Sequence, residues 1–158
     1  MFDGSRSISF TTISKGQHLL SLKVADSQPE LIVLSNSEDA ESFIRAKLVD
    51  SARYDIVEKL RKNDYNQSTL VLVSQGVKGS DGYDVNVQEV RFKDSDVLVY
   101  ADFATPQRTG LFGGRVIGPM SSSPYQLISF PREAVQGGSL RFALVVDGDM
   151  LVKVEHSI

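Results

Sequence analysis

The hydrophobic positions along this chain change period several times, and each change marks an element. Residues 7–16, "SISFTTISKG", alternate Ile8, Phe10 and Thr12 against serines and Thr11. That is the period of a half-buried strand, closed here by a glycine. "ELIVLSN" (30–36) is a short β-branched run that fits a buried strand. The period then lengthens: after Ser37, read as an N-cap, come Glu38, Asp39 and Glu41 in a first turn, where carboxylates complement the helix dipole. Ala40, Phe43, Ile44 and Leu48 follow at helical spacing. The stripe shifts phase near 49–52 and resumes at Ala52, Ile56, Val57 and Leu60. The pattern predicts one helical segment over 38–62, either bent or divided in two near Asp50.

Beyond residue 62 every periodic stretch reads as strand. "TLVLVSQ" (69–75) is apolar without alternation, as in a central strand covered on both faces. In "GYDVNVQEVRF" (82–92), Tyr83, Val85 and Val87 share one parity and Val90 and Phe92 the other, so one extra residue near Gln88 or Glu89 predicts a β-bulge. "DVLVYADFA" (96–104) follows through "KDSD" as the second arm of an antiparallel hairpin. "YQLISF" (125–130) is a further strand, and "PREAVQGG" a connection with room for one helical turn. "SLRFALVV" and "MLVKVEH" form a last hairpin around Asp147 and Gly148. A three-residue loop, Asp147 to Asp149, is expected there, with Val146 opposite Met150, Leu144 opposite Val152, Phe142 opposite Val154 and Arg141 opposite Glu155; a two-residue turn would set Val146 against Asp149. The fold class predicted is β-rich α+β: a mainly antiparallel sandwich or partly open barrel with the helical segment packed against it.

Composition narrows what such a fold does. The 158 residues fit a single domain, 1–158, and contain no cysteine, which excludes disulfides, thiolate metal sites and a cysteine nucleophile. A net charge of -3 with scattered Lys and Arg offers no footprint for nucleic acid. No apolar run reaches the roughly 20 residues that span a bilayer, and "MFDGSRSISF" is not a signal pattern. The expectation is a cytoplasmic chain or one whose leader has been removed.

Candidate chemistry is sparse. His18 and His156 stand far apart in sequence, with no second cluster of ligand-type residues beside either, so surface or packing roles are expected. The acidic pairs Asp94 with Asp96 and Asp147 with Asp149 fall in hairpin turns, where Asp bonds its own backbone; no metal site and no cofactor are expected. Ser139 in "QGGSLR" lacks the rest of an activated-serine pattern. The glycines of "GVKGSDGYDV" are spaced 76, 79, 82 between two strands, without the helix N-terminus that a phosphate requires. They are expected to shape a turn, with Tyr83 packing at the sheet end. The stretch 106–124, "PQRTGLFGGRVIGPMSSSP", is a long glycine- and proline-rich connection, and such connections are often functional.

Several of these pieces together resemble a known family. Asp64-Tyr65, "LVLVSQGVKGSDGYDVNVQEV", "PQRTG" and "SSPYQLISFPR" are similar to the C-terminal domain of PrcB-like protease complex subunits, over roughly residues 64–132. Gly76, Lys78, Gly82, Tyr83, Pro124 and Tyr125 carry the resemblance; Asp81-Gly82 stands where the family usually has a double glycine. The resemblance implies a non-catalytic, extracytoplasmic accessory domain that binds or stabilises a protease or another envelope protein, attached to a membrane only through a removed lipoprotein leader. Leu111 and Phe112, flanked by Arg108 and Arg115, are the expected partner contact, because an aromatic anchor beside arginine is what interface hot spots favour; the alternative is Phe112 folding back on the sheet. Two other functions stay open: a loop-based protease inhibitor of the chagasin type, and a small-ligand or carbohydrate module. Association of the chain with itself is compatible with all three, and an enzyme is the least supported class.

Overall fold

The computed structural model describes residues 4–17, 28–48, 54–79, 82–105, 122–135 and 138–158. Among these the strands are β1 (Arg6–Ile8), β2 (Thr11–Gly16), β3 (Glu30–Leu34), β4 (Ser68–Ser74), β5 (Asp84–Lys93), β6 (Asp96–Ala104), β7 (Tyr125–Pro131), β8 (Ser139–Val146) and β9 (Asp149–Ser157). The helices α1 (Ser37–Lys47) and α2 (Tyr54–Lys62) lie between β3 and β4. Five strands form one sheet in the order β1-β5-β6-β8-β9, and four form a second in the order β2-β7-β4-β3. The architecture is β-rich α+β with two open sheets and no closed barrel among the described residues.

Three layers result, because the four-stranded sheet is apolar on both faces. Val71 and Val73 of β4 and Ile128 of β7 point into a core shared with Val85, Val90, Val97, Val99, Phe142 and Leu144 of the five-stranded sheet. The alternate residues Leu70, Leu72 and Leu127 point the other way, against Ala40 and Phe43 of α1 and Ile56 and Leu60 of α2. Burial on both sides explains the unbroken apolar run read at 69–75, since either parity meets a hydrophobic layer. Each such side chain contributes about 1.5–3 kcal/mol when fully buried.

The bulge expected near Gln88 is present: in the β5–β6 ladder Val87 pairs with Ala101 and Glu89 with Tyr100, leaving Gln88 as the extra residue. Val85, Val87, Val90 and Phe92 consequently all face the core. The turn of this hairpin places Asp94 at φ 56, and the last hairpin places Asp147 at φ 52 and Gly148 at φ 82, so both tips use residues that tolerate positive φ. A short 3-10 turn, Arg132–Ala134, occupies the connection after β7, as expected.

Several expectations are corrected or sharpened. Residues 7–16 are not one strand: β1 pairs with β5 in one sheet and β2 with β7 in the other, so the chain changes sheets at Ser9-Phe10. Helix α1 is capped by Asn36 rather than Ser37; its side chain accepts the Asp39 N–H at 2.8 Å, and Ser37 is already helical. Of the two forms open to the segment 38–62, the divided one is found: two helices, joined on the surface by the bidentate Arg61–Glu41 pair at 2.8 and 3.0 Å. That bond holds the Glu41 carboxyl below, and the Arg61 guanidinium above, their ordinary ranges, although so exposed a pair adds little stability. In the last hairpin the expected three-residue loop is not found: Val146 faces Asp149 rather than Met150, across the two-residue turn Asp147-Gly148. A bulge at Leu151 then restores the expected Leu144–Val152, Phe142–Val154 and Arg141–Glu155 pairs. Finally, β6 and β8 are parallel, an exception in otherwise antiparallel sheets.

Candidate functional site

The residues that carry the family resemblance converge at one end of the two sheets. β4 leaves this end at Ser74, opposite Tyr125 at the start of β7, and β2 reaches it at Gly16. Gly76, buried and at φ 94, donates its N–H to Ser74 Oγ at 3.0 Å, a turn that a side chain would strain. Two residues on, Lys78 and Ser122 exchange backbone hydrogen bonds of 2.8 and 2.9 Å. Lys78 Nζ lies 5.4 Å from the centroid of the half-buried Tyr83 ring, within cation–π range. Gly82, at φ 99, donates to Gln17 Oε1 at 3.2 Å. Tyr83 stands one residue before β5, at the sheet end as expected.

Pro124 and Tyr125 complete the arrangement. The Pro124 carbonyl accepts the Gln75 N–H at 3.0 Å, and Ser123 N–H donates to the Gln17 carbonyl at 2.6 Å. Tyr125 is fully buried, with its hydroxyl 2.8 Å from Ser14 Oγ. Its ring lies so close to Gly16 that a Cβ there would stand 3.3 Å from Tyr125 Cε1. Gly16 is therefore the counterpart of the tyrosine, a pairing invisible in the linear pattern.

Three polar side chains extend this clasp between the sheets, and the hydrophobic pattern does not single them out. Among the described residues the outer edge of β5 has no strand partner past the end of β1, which pairs with Val90 to Phe92. Lys15 Nζ covers that edge, bonding the Val85 carbonyl, Asp84 Oδ1 at 2.6 Å and Asn86 Oδ1 at 2.9 Å. Gln126 Oε1 accepts the Val87 N–H at 2.6 Å. Gln75 Nε2 donates to the carbonyls of Asp84 (2.9 Å) and Ala104 (3.2 Å), holding the open end of the β5–β6 hairpin. The signal that marks both glutamines is their place at the border of an otherwise apolar strand, where they are only 4% and 5% exposed and must find partners.

The clasp joins both roots of the stretch 106–121: Ala104 before it through Gln75, and Ser122 after it through Lys78. The expected contact residues Arg108, Leu111, Phe112 and Arg115 lie outside the described residues, as do His18, Ser80 and Asp81.

Elsewhere, one constellation has the residue types of a catalytic triad without its geometry. His156 Nε2 faces both Ser35 Oγ (2.8 Å) and Asp39 Oδ2 (3.2 Å). A triad needs serine and carboxylate on opposite ring nitrogens, so that the carboxylate orients the base toward the hydroxyl. Here Asp39 also accepts the Ser35 N–H and hydroxyl at 3.0 and 3.2 Å, and the three residues tie β9 to the start of α1. Ser139 is exposed, and Asp96 is paired with Arg141 at 2.6 Å. No group of three or more His, Cys, Asp or Glu suited to a metal occurs among the described residues. A groove of about 610 Å3 between β2 and α2, lined by Thr12, Ile13, Asp55, Glu58, Lys62 and Leu70 among others, includes none of the residues that carry the resemblance. No helix of the described residues is long and apolar enough to cross a membrane.

No curated protein and no solved structure matches the chain. Residues 69–131 do match a family model, and they take in β4 from its second residue, β5 to β7 and the whole run from Gly76 to Tyr125. Over that stretch the chain is similar to the PrcB C-terminal domain.

Proposed function

We propose that the chain is a non-catalytic, extracytoplasmic accessory module that binds another protein, a protease in the first instance, through the stretch 106–121. The observation that carries this reading is the use to which the clasp is put. Gly76, Gly82 and Tyr125 spend their hydrogen bonds on the side chains of Ser74, Gln17 and Ser14, Lys78 bonds the Ser122 backbone and Gln75 the Ala104 carbonyl, so that both roots of one glycine-rich segment are tied to the clasp. Residues so employed support a presented segment rather than perform chemistry. Within that segment Leu111 and Phe112, between Arg108 and Arg115, supply the apolar anchor and flanking charge of an interface hot spot.

The test is in-cell cross-linking of the full chain, followed by co-purification and identification of any protease captured with it. Leu111→Asp with Phe112→Asp is expected to abolish recovery of that protease while leaving the melting temperature unchanged. Undiminished recovery by the double variant overturns the reading. A second reading, a loop-based protease inhibitor, draws on the Lys78–Ser122 bridge, which sets the "GY" turn beside the roots of the glycine-rich segment. Titration against papain-like and subtilisin-like proteases separates the two: an inhibitor blocks turnover stoichiometrically, and an accessory module leaves it intact.

A further inference from the structure

Among the described residues four strands lie at sheet edges: β1, β9, β2 and β3. β9 is the longest, nine residues against three, six and five, and the exposed large hydrophobics of the described residues, Met150 and Leu151, are both on it. A long edge with exposed apolar residues is the feature that proteins ordinarily cover or interrupt.

The direction of its free hydrogen-bonding groups can be read from one contact. Ile158 N–H donates to the Gly138 carbonyl at 2.9 Å, across the ladder in which Ser157 pairs with Ser139. Backbone groups alternate sides along a strand, so His156, Val154 and Val152 also direct theirs toward β8. Ser157, Glu155 and Lys153 direct theirs outward, and their side chains are exposed. Neither Lys153 nor Glu155 has an ion-pair partner among the described residues.

We propose that β9 is a self-complementary edge that pairs antiparallel with β9 of a second copy of this chain, about a two-fold axis at Val154. In a symmetric antiparallel pair only residues whose groups face outward exchange hydrogen bonds, so the axis passes through one residue of each strand. An axis at Lys153 or Glu155 sets like charges directly opposite each other, which is unfavourable. An axis at Val152 sets Asp149 against Glu155. At Val154, Lys153 of each copy faces Glu155 of the other, and the pair forms twice. The same register sets Val152 against His156, Leu151 against Ser157 and Met150 against Ile158, which covers the exposed Met150. The two five-stranded sheets then become one continuous sheet across the axis. The inference is independent of the 106–121 segment.

Analytical ultracentrifugation of the full chain across a dilution series tests it. The wild type is expected to pass from monomer to dimer as concentration rises. Lys153→Glu alone and Glu155→Lys alone each oppose like charges twice and are expected to weaken the dimer by at least about tenfold, equivalent to about 1.4 kcal/mol. The double variant Lys153→Glu with Glu155→Lys restores the opposition of unlike charges and is expected to dimerise as the wild type does. An equimolar mixture of the two single variants is expected to form a heterodimer. Circular dichroism of each variant confirms an unchanged fold. A wild type that stays monomeric to its solubility limit overturns the proposal, and so does a dimer indifferent to all the charge changes, whether its contact is another surface of the chain or not.

Discussion

Gln126 satisfies a strand in the sheet it does not belong to: from β7 its Oε1 accepts the Val87 N–H of β5 at 2.6 Å, while its Nε2 donates to Thr12 Oγ1 of β2 at 2.8 Å. Val87 stands at the start of the β5 bulge and beyond the reach of β1, so its amide has no strand partner on that side. A single amide side chain therefore ties three strands of two sheets.

Gln126→Leu keeps the volume and removes the bond, leaving the Val87 N–H buried and unpaired. A loss of about 1–3 kcal/mol is expected in urea unfolding, against no more than about 1.5 kcal/mol for Thr12→Val, which removes only the outer bond. Equal small losses for both would show that water replaces Gln126 at the bulge.

Thr69 presents the opposite case. It is fully buried in β4 and its hydroxyl has no hydrogen-bond partner among the described residues. Thr69→Val preserves the shape and removes the unsatisfied oxygen, so a gain of about 1 kcal/mol is expected. Calorimetry then reads a rise of about 2–4 °C in Tm for a chain of this size.

The contrast between these two residues shows what the linear pattern carries. Period and parity locate β3 to β9, and even the bulge at Gln88, because a strand with one covered face must return its apolar residues to that face. Parity is silent about which sheet a strand joins. Ile8, Phe10 and Thr12 keep one alternation while the chain crosses between sheets at Ser9-Phe10, and nothing in β6 or β8 announces their parallel pairing. The cap of α1 falls one residue earlier than expected because Asn36 and Ser37 are both good caps, and the choice rests on which side chain reaches the Asp39 N–H. At the clasp, the glycines and tyrosines are legible as a signature. Lys15, Gln75 and Gln126 are not, since their partners are backbone atoms and side chains 9 to 114 positions away.

Tyr65 gives the fold an alkaline limit. Its hydroxyl is buried and donates to the Leu60 carbonyl at 2.7 Å; burial foremost, then the nearby Asp39 and Glu41 charges, push its pKa from 10.0 up to about 12. The folded pKa lies above the unfolded one, so this contribution is complete below pH 10 and is lost as pH rises toward 12. Melting temperatures followed across that window are expected to fall less steeply for Tyr65→Phe than for the wild type. Parallel curves would mean that the phenol ionises without opening the fold.

The two glycines nearest Lys78 are expected to differ. Gly76 is buried at φ 94, so Gly76→Ala costs about 1–2 kcal/mol through the left-handed backbone alone. Gly79 has open space where a methyl group would stand and no positive φ, so Gly79→Ala is neutral or stabilises by up to about 1 kcal/mol. Chemical denaturation of the pair distinguishes a turn that needs glycine from one that merely contains it.

The parallel pairing of β6 with β8 has a kinetic meaning. Asp96 and Arg141 are 45 residues apart, and the chain between them first travels through β7 in the opposite sheet. Bringing β6 and β8 together thus closes a long loop whose entropy must be met before the ladder forms. Since β7 lies inside that loop and pairs with β4 and β2, closing it involves both sheets, and a nascent chain ending before β8 exposes the side of β6 that β8 will cover.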